Sequence, residues 1–374
     1  HRHFRDFTLV SLTRAVIEII AAFPVYRTYL RADVPPAEED VRQIQAAVRL
    51  ARRRSAPTLD PSVFDFIQTT LLSSGGNSST DPESERFALR FQQLTAPVMA
   101  KSVEDTAFYR YQRLIALNEV GADPASFGIS LERFHAQYAE RLRTWPLSMV
   151  TTSTHDTRRG EDAASLIVVL TEIPNVWRAA VQEWAELADI YKSVNGHGAA
   201  PSRRDEYMFY QALVGAWPLG WDGQSGLTEF VARMKAFMRG ATREAKERTS
   251  WASPDAAYDE GVARFVEGTL GDDTLRGKWA AFCRHLGTYG ATNAIGKVLL
   301  RLCSPGVPDT FQGSELWNQS FLDPDNVAEV DYGERRRLLA EISGYGDRRA
   351  LIERVLSQYS DGALKLFVTH VSFS

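Results

Sequence analysis

The sequence predicts a helix-rich α/β fold of the (β/α)-barrel type, and three observations carry that prediction. Apolar residues recur at helical spacing through most of the chain, as amphipathic helices require. Runs that alternate, or that are rich in β-branched and aromatic residues, are short and few. Several of those runs end in polar clusters, as barrel strands do where their C-terminal loops hold a site.

Taken in order, TLVSLTRAVIEIIAA (8–22) puts Leu12, Ala15, Val16, Ile19 and Ile20 on one helical face, and FPVYRTYL (23–30) then reads as a short strand. After Pro35 and Pro36, a long helix is marked by Val41, Ile44, Ala47, Val48 and Ala51. SSGGNSSTDPES (73–84) has the composition of a flexible loop, with another helix beyond it. PLSMVTTSTHD (146–156) is strand-like and ends polar. EDAASLIVVLTEI (161–173) is helical through Ala163, Leu166, Ile167, Leu170 and Ile173, with Pro174 as its stop. Two further stripes, Trp177, Val181, Trp184, Ala188 and Tyr191, then Leu227, Phe230, Val231, Met234, Phe237 and Met238, predict core rather than a cofactor box. Residues 297–303 read as helix, and VPDTFQGSELW (307–317) as a brief strand opening into a polar loop. DGALKLFVTH (361–370) alternates like a strand.

Composition excludes several classes. The 374 residues, 44% hydrophobic and 24% charged, suit one large domain or two to three ordinary ones. A net charge of −4 and a pI near 6.0 lack the basic footprint that nucleic acid or an anionic membrane demands. The arginine runs Arg52-Arg53-Arg54 and Arg335-Arg336-Arg337 read as solvated helix faces. Cys283 and Cys303 are too few for a disulfide framework or a cysteine-rich zinc site. The one close histidine pair, His1 and His3, is a poor metal candidate at the start of the chain. No long apolar run or signal-peptide pattern occurs. The expectation is a soluble, cytoplasmic protein with no metal, no cofactor, no nucleic acid and no membrane partner.

Three polar clusters carry the candidate chemistry. In TTSTHDTRRG (151–160), His155 and Asp156 could meet sugar hydroxyls at a strand end, or Asp156 or Thr157 could simply cap the following helix, with Glu161 and Asp162 favouring its N-terminus. KSVEDTAFYRYQRLIALNEVG (101–121) interleaves Lys101, Glu104, Asp105, Arg110, Asn118 and Glu119 with Phe108, Tyr109 and Tyr111. That pattern suits a saccharide groove, and equally a structural ion-pair network. GVPDTFQGSELW with NQSFLDPDN supplies Asp309, Gln312, Glu315, Asp323, Asp325 and Asn326; DPDN lacks the spacing of a calcium loop and reads as a turn. Phosphate-binding glycine motifs, HExxH and a GxSxG elbow are absent from the sequence.

FPVYRTYL, KSVEDTAFYRYQRLIALNEVGADP (101–124), WPLSMVTTSTHDTRRGED (145–162), DEYMFYQALVGAWP (205–218), REAKERTSW (243–251) and SPGVPDTFQGSELWNQSFLDPDN (304–326) run in order across nearly the whole chain. Through these blocks the sequence resembles the maltooligosyltrehalose synthases, within the α-amylase family (glycoside hydrolase family 13). The resemblance implies the later portion of a (β/α)8 barrel with large α-helical insertions. It also implies an intramolecular transfer in which the reducing-end α-1,4 linkage of a maltooligosaccharide becomes α,α-1,1, as in trehalose biosynthesis. In related retaining enzymes an aspartate attacks the anomeric carbon, a glutamate serves as acid and then base, and a third carboxylate grips sugar hydroxyls. The family pattern gives that third role to Asp156, with His155 as its hydroxyl-binding neighbour. Lys101, Asp105, Tyr109, Arg110, Asn118, Glu119, Arg158, Arg159, Gln312 and Glu315 are the implied substrate-facing residues.

By the same resemblance, nucleophile and acid/base would precede His1, so the expected partners are the maltooligosaccharide and a missing N-terminal half of the barrel. The chain alone is then expected to be incomplete and inactive. The implied organisation is a barrel helix and strand at 1–30, a helical insertion at 31–144 and a barrel strand-loop-helix at 145–175. A second insertion at 176–275, a last barrel helix, strand and loop at 276–345 and the start of a C-terminal region at 346–374 complete it. The chain departs from the family pattern at Ser102, at Arg158 in place of lysine, and at Val327-Ala328-Glu329, where the family carries two arginines and a proline. A non-catalytic saccharide-binding helical module and an amylase-type hydrolase are the competing expectations.

Overall fold

The structure, a computed structural model, describes residues 7–31, 33–56, 59–73, 82–196, 198–321 and 329–373, apart from the side chain of Asn195. His1, His3, most of the 73–84 loop, the DPDN turn and Val327-Ala328 lie outside the described residues. The chain divides into two compact units, meeting in sequence between Ala107 and Phe108.

In the first unit, helix α1 (Leu9–Ala21) starts where the Thr8 hydroxyl accepts the Ser11 amide, a side-chain N-cap. Helices α2 (Glu38–Arg54), α3 (Pro61–Leu72) and α4 (Pro82–Met99) follow, and α4 runs into a π-helical stretch, Ala100–Ala107. The predicted stripe of α2 packs inward through Ile44, Ala47, Val48 and Ala51, against Ala15, Ile19, Phe64, Ile67 and Phe91. FPVYRTYL is not a strand: it bends at 24–26 and runs on to Leu30 without a ladder partner among the described residues. Side chains satisfy it instead. Gln92 accepts from the Leu30 amide at 2.9 Å and donates to the Leu30 carbonyl at 2.9 Å, while Asp40 accepts from the Tyr29 amide at 3.2 Å.

In the second unit, a short helix α5 (Phe108–Arg110) is followed by α6 (Leu131–Thr144) and strand β1 (Met149–Val150). Next come α7 (Glu161–Val169), α8 (Pro174–Ala188) and the antiparallel pair β2 (Ser193–Asn195) and β3 (Gly198–Ala200). Helices α9 (Arg203–Ala216), α10 (Leu227–Ala245), α11 (Ala256–Gly271) and the long α12 (Asp273–Leu302) lead to strand β4 (Val307–Pro308). Helices α13 (Tyr332–Gly344), α14 (Arg348–Ser357) and α15 (Ala363–Phe373) complete it.

Strands β1 and β4 pair in parallel, Met149 opposite Val307 and Val150 opposite Pro308. The two strand-like runs therefore form a ladder, though only two residues long. DGALKLFVTH is a correction: it is helical, because Ala363 with Leu366 and Lys365 with Thr369 fall on one buried helical face. Its alternation is incidental to that spacing. Pro174 is a second correction, since α7 ends at Val169 and the proline instead opens α8, where its missing N–H costs nothing.

Both aromatic stripes are core. Trp184 meets Trp177 at 5.7 Å, Tyr210 at 5.7 Å, Phe282 at 5.1 Å and Trp279 at 6.2 Å, the last with planes at 89°. Edge-to-face contacts of this kind add to the area they bury. Helix α7 is pressed onto α12 at Gly290, where an added Cβ would lie 2.2 Å from the Leu166 side chain. The helix that begins at the end of the 151–160 loop is thus fixed from beneath. Trp184→Ala is expected to cost about 3–5 kcal/mol by opening a cavity among these rings. Guanidinium unfolding should show the midpoint fall with an unchanged slope.

Candidate active site

The β1–β4 ladder sends two loops out of the same end of the sheet. Val307 donates its amide to the Ser148 carbonyl at 2.9 Å and Asp309 to that of Val150 at 2.8 Å, so 151–160 and 309–321 begin side by side. In the first loop the hydroxyls make the turn. Thr157 donates its hydroxyl to the Thr154 carbonyl at 2.9 Å and accepts the Thr154 amide at 3.2 Å, while the Asp156 amide donates to the Thr154 hydroxyl at 3.1 Å. His155 and Asp156 sit at the tip, both exposed, and among the described residues neither side chain has a hydrogen-bond partner. The helix-cap alternative fails here: Gly160 precedes α7 with no side-chain cap, and Thr157 spends its hydroxyl inside the turn.

The two loops are then stitched together. Gly160 donates its amide to the Ser320 carbonyl at 2.9 Å, Asp162 donates its amide to the Asn318 carbonyl at 3.2 Å, and Arg159 bridges Phe321. A Cβ on Gly160 would stand 2.3 Å from the Asn318 carbonyl oxygen, so only glycine permits this approach.

Under the stitch lies a buried ionic cluster. The Lys365 ammonium reaches Glu161 at 2.5 Å and Asp162 at 2.6 Å, and donates to the Leu316 carbonyl at 3.2 Å. Arg301 pairs with Glu161 at 3.1 Å and donates to Thr152 at 3.1 Å and Thr310 at 3.2 Å, while Lys297 donates to the Glu161 carbonyl at 2.6 Å. Burial pushes both carboxyls upward. For Glu161 the opposing pull of Lys365, Thr152 and Arg301 prevails and its pKa is lowered; Asp162, beside the Glu161 charge, stays raised. Burial also lowers the pKa of Lys297.

The predicted residues separate into groups. Asn118, buried, donates to the Phe108 carbonyl at 2.7 Å and to that of Tyr111, holding the bend after α5. Glu119 accepts the Arg158 amide at 2.9 Å, and burial raises its pKa against the pull of that hydrogen bond and of Arg159. The Arg159 guanidinium is buried and donates to the Asn118 carbonyl at 3.3 Å; burial lowers its pKa. Arg158 lies over the Tyr109 ring at 5.4 Å. These five residues therefore brace the base of the His155-Asp156 loop. Arg110 is turned away to the C-terminal end of α10, donating to the Ala245 carbonyl at 2.6 Å. Glu315 pairs with Arg335 on α13 at 3.0 Å, and Gln312 is exposed. Lys101 and Asp105 belong to the first unit, where they pair with each other in the π-helical stretch.

Sequence reasoning missed Lys365, Arg301 and Lys297, and read Glu161 and Asp162 only as helix-start charges. The available signal was a lysine inside the apolar run ALKLF and an arginine inside LLRL. A cleft of about 560 Å³, lined by Tyr111, Arg113, Phe127, Trp177, Arg178 and Tyr207 among others, does not include His155 or Asp156.

The described residues form a helix-rich α/β chain with one short parallel ladder, and its likeness to solved structures places it in a class, the helix-rich portion of a (β/α)8 barrel with large helical insertions. No family profile matches the chain. Proteins of two Mycobacterium tuberculosis strains, carrying the name maltooligosyl trehalose synthase, are 39% identical over 249 residues, which is 67% of this chain and 31% of theirs. The solved maltooligosyltrehalose synthase of Arthrobacter ramosus superposes with a TM-score of 0.79 at 34% identity, over 96% of this chain and 42% of its own. A Sulfolobus tokodaii structure described as a hypothetical maltooligosyl trehalose synthase gives 0.73 at 26% identity, over 97% of this chain and 43% of its own. By sequence and by fold the chain is a relative of the maltooligosyltrehalose synthases, corresponding to the C-terminal part of those enzymes. It spans about a third of the length of the curated relatives it matches.

Gly160→Ala should drive the loops apart at Asn318 and cost about 1–3 kcal/mol, measured as a lowered thermal midpoint. Because the Glu119 pKa is raised, the folded state holds its proton more tightly than the unfolded chain, so its charge costs stability above that pKa. Glu119→Gln, which keeps the acceptor, should therefore gain most over the parent near pH 7. That gain should shrink as pH falls through the carboxylate range, in parallel urea titrations.

Proposed function

We propose that this chain supplies the sugar-gripping part of an active site that turns the reducing-end α-1,4 linkage of a maltooligosaccharide into an α,α-1,1 linkage. The observation that carries the reading is the exposed His155-Asp156 pair, without a side-chain hydrogen-bond partner among the described residues, at the tip of a braced loop beside the β1–β4 ladder. A carboxylate there can accept two hydrogen bonds from adjacent sugar hydroxyls, and His155 can exchange one more. Such bonds strengthen as positive charge grows on the ring, and so favour the transition state over bound substrate. Transfer rather than hydrolysis requires the freed glucose to remain in place while water is kept out.

Nucleophile and acid/base would come from outside these 374 residues. The expected partner is the remainder of a barrel, and the sheet supports this: Met149 is 72% and Val307 48% exposed, apolar residues in a ladder that has two strands among the described residues. In this reading 145–175 and 276–345 are barrel segments, 1–30 is a barrel segment, 31–144 and 176–275 are insertions, and 346–374 begins a C-terminal region. Tyr109, Arg158 and Gln312 would face substrate, directly or by shaping the loop, and the buried Arg159 would brace it from below. Arg110, Asn118 and Glu315 serve it through the contacts they already make. A reducing cytoplasm suits Cys283 and Cys303, both unpaired. Among the described residues no single helix is long and apolar enough to cross a membrane.

The aromatic cleft at Tyr111, Phe127 and Trp177 favours a second reading, a saccharide-binding module without chemistry. Conversion of maltopentaose to a non-reducing product, followed in the longest native protein containing this chain, separates the two. Asp156→Asn should lower kcat by at least 10²-fold, on the scale of losing one transition-state contact. Unchanged turnover would remove Asp156 from the site. Release of new reducing ends would point to a hydrolase, and binding without any turnover to the module.

A further inference from the structure

The Lys365 side chain on α15 is fully buried, and its three contacts reach both loops of the candidate site. Glu161 and Asp162 begin α7, directly after TTSTHDTRRG; the Leu316 carbonyl belongs to the loop that leaves β4. Asp162 extends the link, accepting the Asn318 amide at 2.6 Å through the same oxygen that meets Lys365. Glu161 extends it the other way, through Arg301 and the Thr152 hydroxyl at the root of the His155-Asp156 loop. The ammonium donates hydrogen bonds to Asp162 and to the Leu316 carbonyl and meets the Glu161 carboxylate as an ion pair at 2.5 Å, so groups from two loops converge on one cation. The ring of Trp317 covers the group from 5.8 Å.

From this geometry we infer that Lys365 is a positioning residue: by holding Glu161, Asp162 and the Leu316 carbonyl around one ammonium, it sets where the His155-Asp156 turn stands relative to the 309–321 loop. The inference rests on the reading that His155 and Asp156 act on a saccharide, and it deepens that reading by adding a residue that never touches substrate. Arg301 cannot replace it, since its Nη1 lies against Glu161 and Thr152 and its Nη2 against Thr310. Lys297 is engaged with the Glu161 carbonyl.

The test uses two variants of the native protein containing this chain. Lys365→Met leaves Asp162 without a cation of its own. Lys365→Met/Asp162→Asn removes a charge pair together and leaves Glu161 with Arg301, which guards against simple failure to fold. Hydrogen exchange at the amides of Gly160, Asn318 and Arg158, each bonded in the stitched region, reads loop position without reference to activity. In the double variant those amides should exchange at least 10-fold faster while amides of α10 and α11 keep their protection. Its kcat for maltopentaose should fall at least 10-fold, with KM changed less than threefold. Parental exchange at all three amides in the double variant would overturn the inference, whether or not the single variant folds. If the parent protein itself does not convert maltopentaose, the functional reading fails, and the exchange arm still decides whether Lys365 positions the loops.

Discussion

One ammonium group ties together the two loops of the candidate site. Lys365 lies under the junction where α7 starts and where the loop from β4 returns, and it contacts a residue of each. Its setting contains two carboxylates and three cations, Lys297, Arg301 and Lys365, removed from water. Buried charges repay their desolvation only where geometry and hydrogen bonding are complete, and removing one member leaves the others stranded. The cluster is therefore better understood as a constraint on shape than as a source of stability. It fixes which carbonyl faces which amide, and Gly160 then lets the two backbones close to hydrogen-bonding distance.

The loop above that junction is built on a different principle. Thr154, Thr157 and Ser153 satisfy one another, so the turn needs nothing from His155 or Asp156. Two polar side chains are thereby left available at a fixed place, with Glu119 holding the Arg158 amide and the buried Arg159 closing the base. Support and chemistry are divided between neighbouring residues: charged groups that brace are dry and paired, and those offered to a ligand are wet and unpaired. This division gives physical content to the distinction between Asp156 and the adjacent acids at 161 and 162.

Legibility from sequence follows the range of the interactions. The helices of α1, α2, α8 and α10 were readable because spacing of Ile44, Ala47 and Ala51, or of Trp177 and Trp184, is a local property. The ladder at Met149 and Val307 was readable as two strand-like runs. FPVYRTYL was misread because its strand-like composition serves hydrogen bonds to Gln92 and Asp40, which no local pattern reports. DGALKLFVTH was misread because alternation over a few residues coincides with helical spacing when Ala363, Leu366 and Lys365 are all inside. In the site, TTSTHDTRRG drew attention through its hydroxyls and its family resemblance. The ionic cluster stayed hidden because its members are distant in sequence and each, alone, looks like an ordinary surface charge.

The separation between Asp162 and Lys365, 203 residues, has a consequence for how the protein is made. A chain synthesised from its N-terminus presents the His155-Asp156 loop long before α15 exists. Until then Asp162 has no ammonium beside it, and the backbone stitch at Gly160 has no fixed partner, since the 309–321 loop also arrives late. Closing so long a loop is entropically slow compared with forming the helices between. The local turn can form early, but its placement waits for α15. Order in the candidate site thus follows the synthesis of α15, 203 residues after the turn's own carboxylate neighbour.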